Sequence, residues 1–382
     1  MDIISWDLLS WVWDYAVPFL LILTVLVFVH ELGHYLVARR NGVYVETFSI
    51  GFGPEIFGWN DAAGTRWKVS VVPLGGYIRM FGDEDATSRP SADLDTMSPV
   101  DREKSFYYKS LGQRSAIVFA GPLANFIFAI AVLVIMFMTI GQPFSSPRIT
   151  EVLPQSAAEA AGLAEGDLIT SLDGDEIERF EDIVMIVSQN PDRSMEVTVD
   201  REGGVHTFMV TPALEEGVDR FGNAYRVGRL GIRGTMREYV QHGPLTAVYR
   251  SVETTYTIVT STLKAVGQMI AGTRSADELG GPLRIAQMSG EVAQYGISTI
   301  FWFMAVLSIN LGLINLFPVP LLDGGHLLYF AAEAVRGKPI GERAQEVGFQ
   351  IGLVMVLSLM IFTTWNDLSQ MGFFKFLQGL AG

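Results

Sequence analysis

Apolar residues run almost unbroken through four stretches of this chain, at about 17–38, 115–140, 297–317 and 348–363. All four are long enough to cross the roughly 30 Å hydrocarbon core of a bilayer as helices, the last being the weakest of them. Between them the pattern changes. Segments 44–53 and 67–80 are rich in β-branched and aromatic residues and are broken by Gly51-Phe52-Gly53-Pro54 and Pro73-Leu74-Gly75-Gly76. That composition and punctuation predict short hairpins dipping toward the membrane or, equally, a soluble β-ribbon. Residues 82–104, rich in Asp, Ser, Thr and Pro, read as a mobile linker. From 148 to 212 the order is strand, short helix (156–163), strand and turn (166–174), helix (180–189) and two strands (194–200 and 205–211). Residues 243–292 alternate at helical spacing, as amphipathic helices on a membrane surface do.

The fold class that follows is a polytopic α-helical membrane protein. It has four transmembrane helices, membrane-associated β-hairpins and an inserted α/β domain. Its parts fall at 1–140, 141–214, 215–296 and 297–382.

Composition narrows the function. The chain has 382 residues, 49% of them hydrophobic, and a net charge of −14. The charge argues against nucleic acid as a partner and leaves the lipid bilayer as the expected one. The absence of cysteine removes disulfides, thiol catalysis and thiolate metal ligands. Residues 1–38 carry no Lys or Arg, so the positive start of a signal peptide is missing and the first stretch reads as a spanning helix anchored by Trp11, Trp13 and Tyr15. Arg39 and Arg40 end that stretch, and the 39–114 loop holds ten Lys and Arg. The N-terminus and the 141–296 insert therefore belong outside, and the 39–114 and 318–347 connections in the cytoplasm.

The first span contains His30-Glu31-Leu32-Gly33-His34. Residues four apart share a helix face, so His30 and His34 can bind one Zn²⁺ with Glu31 beside the open coordination position. At 1.5 Å per residue His30 lies about 20 Å from the outer edge of the core, nearer the cytoplasm. A third ligand is needed. The span starting near 297 runs inward to Asn310, Asn315, Pro318, Pro320 and Asp323. Pro318 and Pro320 break the helix at a depth that brings Asp323 level with the histidines.

Phe28-Val29-His30-Glu31-Leu32-Gly33-His34, combined with Asn315-Leu316-Phe317-Pro318-Val319-Pro320-Leu321-Leu322-Asp323-Gly324-Gly325-His326, resembles the site-2 protease family of intramembrane zinc metalloproteases. Phe119-Ala120-Gly121-Pro122-Leu123-Ala124-Asn125 and the two glycine-proline breaks extend the likeness over nearly the whole chain, which is most similar to the bacterial RseP-like branch. The resemblance implies an inner-membrane enzyme in regulated intramembrane proteolysis. Its substrates would be single-span membrane proteins, such as an anti-sigma factor already shortened outside. The 148–212 order, with Ala160-Ala161-Gly162-Leu163 and Gly166-Asp167-Leu168-Ile169, resembles a PDZ domain of the bacterial type. The best-known member of the branch carries two such domains, whereas this insert has room for one.

Three protein ligands to zinc leave a fourth position for water, and Glu31 takes its proton and later gives it to the leaving amine. A helical substrate must unwind, leaving backbone groups that cost several kcal/mol each in a bilayer. Asn310 and Asn315 are candidates to meet those groups. The hairpin glycines Gly75 and Gly76, with Pro318 and Pro320, are candidates to hold the extended segment. Asn125 with Gly121 reads as a helix-packing face. Two other classes compete: a non-catalytic adaptor using the PDZ-like module, and a zinc transporter. An intact set of His30, Glu31, His34 and Asp323 speaks against the first, and the lack of a further acidic relay against the second.

Overall fold

The computed structural model describes residues 12–83, 97–218, 224–234, 238–272, 275 and 279–370. The chain divides into two compact units, one drawn from Met1–Ile135 with Leu245–Asn366 and the other from Met136–Pro244 with Asp367–Gly382. Among the described residues four helices are long and apolar enough to cross a membrane: Trp13–Arg40, Leu111–Thr139, Ile297–Asn315 and Arg343–Gln370. Each expected stretch falls on one of them.

A π-helical turn at Val12–Ala16 leads into α1 (Val17–Arg40). Pro18 sits in its first turn, where a missing N–H costs nothing, and Arg39 and Arg40 complement the negative end of the helix dipole. β1 (Val45–Asn60) and β2 (Arg66–Met80) follow and pair with each other, so the short hairpins expected at 44–53 and 67–80 are one long hairpin. The Gly-Pro breaks are its bends. Residues 47–50 lie between 76–79 on one side and 66–69 on the other, and 57–60 pairs on the far side of 66–69. Phe48 and Trp67 stack at 4.2 Å inside the curled sheet this makes. Asp61, in the turn between the strands, accepts from the Tyr35 hydroxyl of α1 at 2.8 Å and from Trp67 Nε1 at 2.9 Å. The hairpin is thereby tied to the helix one residue after His34. Its tip leaves Phe52, Ile56, Phe57, Val71 and Leu74 exposed, an apolar surface that water alone does not favour. The linker expected at 82–104 lies largely outside the described residues. α2 (Pro99–Lys104) then leads toward α3 (Leu111–Thr139), which carries Pro122 in its interior.

The second unit opens with β3 (Gln142–Phe144) and β4 (Glu151–Val152). α4 (Ala157–Ala161) is capped by Ser156, whose hydroxyl accepts the Glu159 amide, and ends at left-handed Gly162. β5 (Leu168–Leu172), β6 (Asp175–Glu176), α5 (Phe180–Ser188), β7 (Met195–Arg201) and β8 (Gly204–Val210) complete the order expected for 148–212. The sheet runs β6-β5-β7-β8, all antiparallel, over a core that includes Ile149, Ile169, Leu172, Ile183 and Val197. Burial alone would raise the Asp167 carboxyl. Hydrogen bonds from Arg201 and the Ala164 amide outweigh it and hold the group below the usual range.

The strands do not stop at 214, the boundary expected for the inserted α/β domain. β9 (Ala213–Val218) and β10 (Ala224–Arg229) form a hairpin with two cross-strand ion pairs, Glu216 with the directly opposite Arg226 at 2.9 Å and Glu215 with Arg229 diagonally at 2.7 Å. β11 (Ile232–Arg233) pairs with β4, β12 (Glu238–Val240) pairs with β3, and Leu230 joins the core. The module therefore closes at Val240.

α6 (Pro244–Ile270), α7 (Pro282–Gln294) and α8 (Ile297–Asn315) return the chain to the first unit, where Ile22 and Leu26 of α1 pack with Phe303 and Met304 of α8. Pro318 and Pro320 prevent α8 from continuing. The chain turns at once into α9 (Asp323–Arg336), closed by left-handed Gly337, and ends the described region in α10 (Glu342–Gln370).

Candidate metal centre

α1 sets His30 and His34 one turn apart with their Nε2 atoms 3.2 Å from each other. Asp323 enters from the first turn of α9, its Oδ2 3.2 Å from His30 Nε2 and its Oδ1 3.6 Å from His34 Nε2. One donor atom from each residue lies within 4.8 Å of the others. Bonds of about 2.0–2.1 Å in a tetrahedral site separate ligand atoms by about 3.3 Å, so the triad has the dimensions of a zinc site.

Two further observations fit a cation. The Nδ1–H of His34 donates to the Ile117 carbonyl at 2.8 Å, so in the neutral ring it is Nε2 that offers a lone pair. Asp323 Oδ2 is buried and has no hydrogen-bond donor. Lone pairs and a carboxylate that converge in this way are held together by positive charge between them. The approach of α3 makes the arrangement possible: a Cβ on Gly33 of α1 would stand 2.2 Å from the Ala120 carbonyl oxygen, so only glycine lets the two helices come this close.

The triad opens into a cavity of about 600 Å³ lined by Glu31, Gly76, Asn315 and His326 among others. Glu31, next to His30, has the Ile78 backbone of β2 as a hydrogen-bond partner, so the hairpin steadies it. Away from the triad the lining carries charged groups among apolar ones. Arg114 and Glu333 pair at 2.6 Å. Asp83 accepts from the Met80 amide at 2.8 Å and the Tyr107 hydroxyl at 3.0 Å. Burial pushes the Asp83 carboxyl up to about 7 in spite of these two bonds.

Of the candidates for substrate contact, Asn315 and Gly76 line the cavity. Gly75 stands beside Gly76 at the bend with φ of 111°. Pro318 and Pro320 shape the turn before α9, where the Leu321 amide donates back to Val319 at 2.7 Å. Asn310 is placed differently: its Oδ1 accepts from Thr262 of α6 at 3.1 Å and its Nδ2 donates to the Val306 carbonyl at 3.1 Å. Its amide thus joins two helices. Asn125, read from the sequence as a packing residue, is fully buried with its side-chain amide 3.1 Å from His30 Nδ1. The signal available in the sequence was a lone amide deep in an apolar span, one helical turn after Gly121.

Two histidines one turn apart, a carboxylate from a distant helix and a second carboxylate lining the same cavity define a zinc metallopeptidase. Comparison with known proteins agrees. Residues 18–359 match the model of peptidase family M50, and the chain belongs to that family, the site-2 proteases. It is 47% identical over 363 residues to a Rhizobium meliloti protein whose given name is that of a zinc metalloprotease, an alignment covering 93% of this chain and 97% of the relative. It is 36% identical over 388 residues to the metalloprotease MmpA of Caulobacter vibrioides, covering 95% of this chain and 98% of that one. It is also 32% identical over 465 residues to the regulator of sigma-E protease RseP of Escherichia coli K12, covering 95% of this chain and all of that one (100%).

Proposed function

We propose that this enzyme hydrolyses peptide bonds inside the transmembrane segments of single-span membrane proteins. The observation that carries the reading is the triad's setting, with two of its members on a helix long and apolar enough to cross a membrane and the third at the turn that ends another. His30, His34 and Asp323 hold one zinc ion, which supplies Lewis-acid polarisation of the scissile carbonyl and acidification of a water. Glu31 receives the proton of the attacking water on its carboxylate and passes it to the leaving amine. Asn315 and the β2 edge at Gly76 meet the carbonyl and amide groups of a locally unwound substrate, which the bilayer would otherwise leave unsatisfied.

The same reading places the enzyme in the bacterial inner membrane with its N-terminus and inserted module outside and its site toward the cytoplasm. The module is a single PDZ-like domain that sorts substrates and supplies no metal ligand, since all three candidate ligands belong to the other unit. A substrate of the anti-sigma-factor kind, already shortened outside, fits this division of labour. The test is cleavage of a single-span model substrate in proteoliposomes by the intact enzyme and by Glu31→Gln. Cleavage by the intact enzyme alone, at a bond within the span, supports the reading. Cuts confined to soluble loops would overturn it.

A further inference from the structure

We infer that Asn125 is a positioning residue for the metal centre: its side-chain carbonyl oxygen accepts the Nδ1–H of His30 and so turns the Nε2 lone pair of that ring toward the metal. The inference rests on the reading that His30, His34 and Asp323 hold zinc.

Neutral imidazole carries one hydrogen, and the neighbour of one nitrogen decides which nitrogen keeps it. For His34 the neighbour is a backbone carbonyl, Ile117, which can only accept. For His30 the neighbour is the Asn125 amide at 3.1 Å, which can present either end. With Nδ2 toward the ring, His30 must accept at Nδ1 and carry its hydrogen on Nε2. That hydrogen would stand among His34 Nε2 and Asp323 Oδ2, each 3.2 Å away, in the space a cation needs. The same setting leaves Asn125 Oδ1 buried with no donor. With Oδ1 toward the ring, the hydrogen moves to Nδ1 and is accepted there, and both Nε2 lone pairs face Asp323. One helix, α3, then supplies the acceptor for each histidine, eight residues apart.

The amide has little freedom to do otherwise. Asn125 is fully buried, and its backbone carbonyl accepts the Ser308 hydroxyl of α8 at 2.9 Å. Gly312 of α8 comes so near that a Cβ there would touch Asn125 Cβ at 3.4 Å. The packing role read from the sequence is therefore present as well, carried by the backbone and Cβ of Asn125 and separable from its side-chain amide.

Zinc affinity of the purified full chain, measured by chelator competition, separates positioning from packing. Asn125→Leu keeps the volume and loses the acceptor; its affinity is expected to fall 10–100-fold, the usual cost of losing such a partner. Asn125→Asp keeps an acceptor in place and is expected to stay within about threefold of the parent or to bind more tightly. Ser308→Ala removes the packing partner without touching the ring and is expected to change affinity by less than about twofold. Cobalt substitution gives a second readout, because its visible absorption follows the ligand geometry and should change in Asn125→Leu alone. Parent-like affinity in Asn125→Leu would overturn the inference. So would equal losses in Asn125→Leu and Asn125→Asp or, if Asn125→Asp does not fold, in Asn125→Leu and Ser308→Ala. A parent protein that takes up no zinc would instead remove the metal reading itself.

Discussion

Gly121 of α3 lies against the imidazole of His34 so closely that a Cβ on it would stand 2.1 Å from Nε2. Such a distance is inside van der Waals contact, and the ring, held at Nδ1 by Ile117, cannot retreat without losing that bond. Gly121→Ala is therefore expected to lower zinc affinity at least about tenfold while leaving the helix intact, since alanine favours helix by roughly 1 kcal/mol over glycine. Gly112→Ala, on the same helix with nothing within 4 Å, is the control and should bind zinc as the parent does.

Glu31 and Asp323 are both carboxylates near the histidines, yet their losses should differ in kind. Glu31→Gln is expected to retain one zinc per chain and to lose about 10²–10⁴-fold in turnover, the usual worth of a general base. Asp323→Ala should lose most of its metal. Metal analysis beside an activity assay decides it, and full zinc retention in Asp323→Ala would remove that residue from the ligand set.

Asp83 makes stability depend on pH. Its folded value of about 7 is above the unfolded carboxylate value near 3.9, so the folded state binds more protons in between. The contribution is fully present below about pH 4 and is lost as pH rises through 7, amounting to a few kcal/mol on the order of 1.4 per unit shifted. Melting curves at pH 5 and pH 8 should show the parent losing more stability across this interval than Asp83→Asn. Parallel losses in the two proteins would exclude Asp83 as the cause.

Orientation can be read with fused reporters. One placed after Asn190 is expected to report the outside and one inserted between residues 82 and 104 the cytoplasm. The reverse pattern would place the metal centre on the other side of the membrane.

The inserted module can be removed at its structural ends. Gln142 and Val240 are partners across β3 and β12, so a short flexible linker can join the chain ends left by deleting 142–240. The shortened enzyme is expected to hold zinc and cut a short-tailed substrate as the parent does, and to accept long-tailed substrates that the parent refuses. A folded, zinc-loaded deletion that cannot cut the short-tailed substrate would show that the module helps to build the site.

Much of the site was legible because its chemistry is local. His30, Glu31 and His34 share one turn, and the prolines at 318 and 320 mark where the chain must leave its helix to present Asp323. Asn125 was not legible as a neighbour of His30, because nothing in a single helix says which residue of another will face it. The role of Gly121 was hidden for the same reason: a small residue beside a polar one describes any close helix crossing. The hairpin was misjudged at its bends, since Gly51 and Gly75 look like turns when the pairing partner of each strand is unknown. The strands beyond 214 were passed over because short segments interrupted by Glu, Arg and Gly carry little apolar signal, and only their pairing with β3, β4 and each other reveals them.

Because the two histidines and the aspartate come from opposite ends of the chain, the site has a birth order. Nearly 290 residues separate His34 from Asp323, which at 5–20 residues per second is on the order of 15–60 s of synthesis. Throughout that interval the nascent first helix carries Glu31 and the two candidate ligands His30 and His34 but not Asp323, which completes the triad. A ribosome must therefore have made most of the polypeptide before the proposed metal site can be complete.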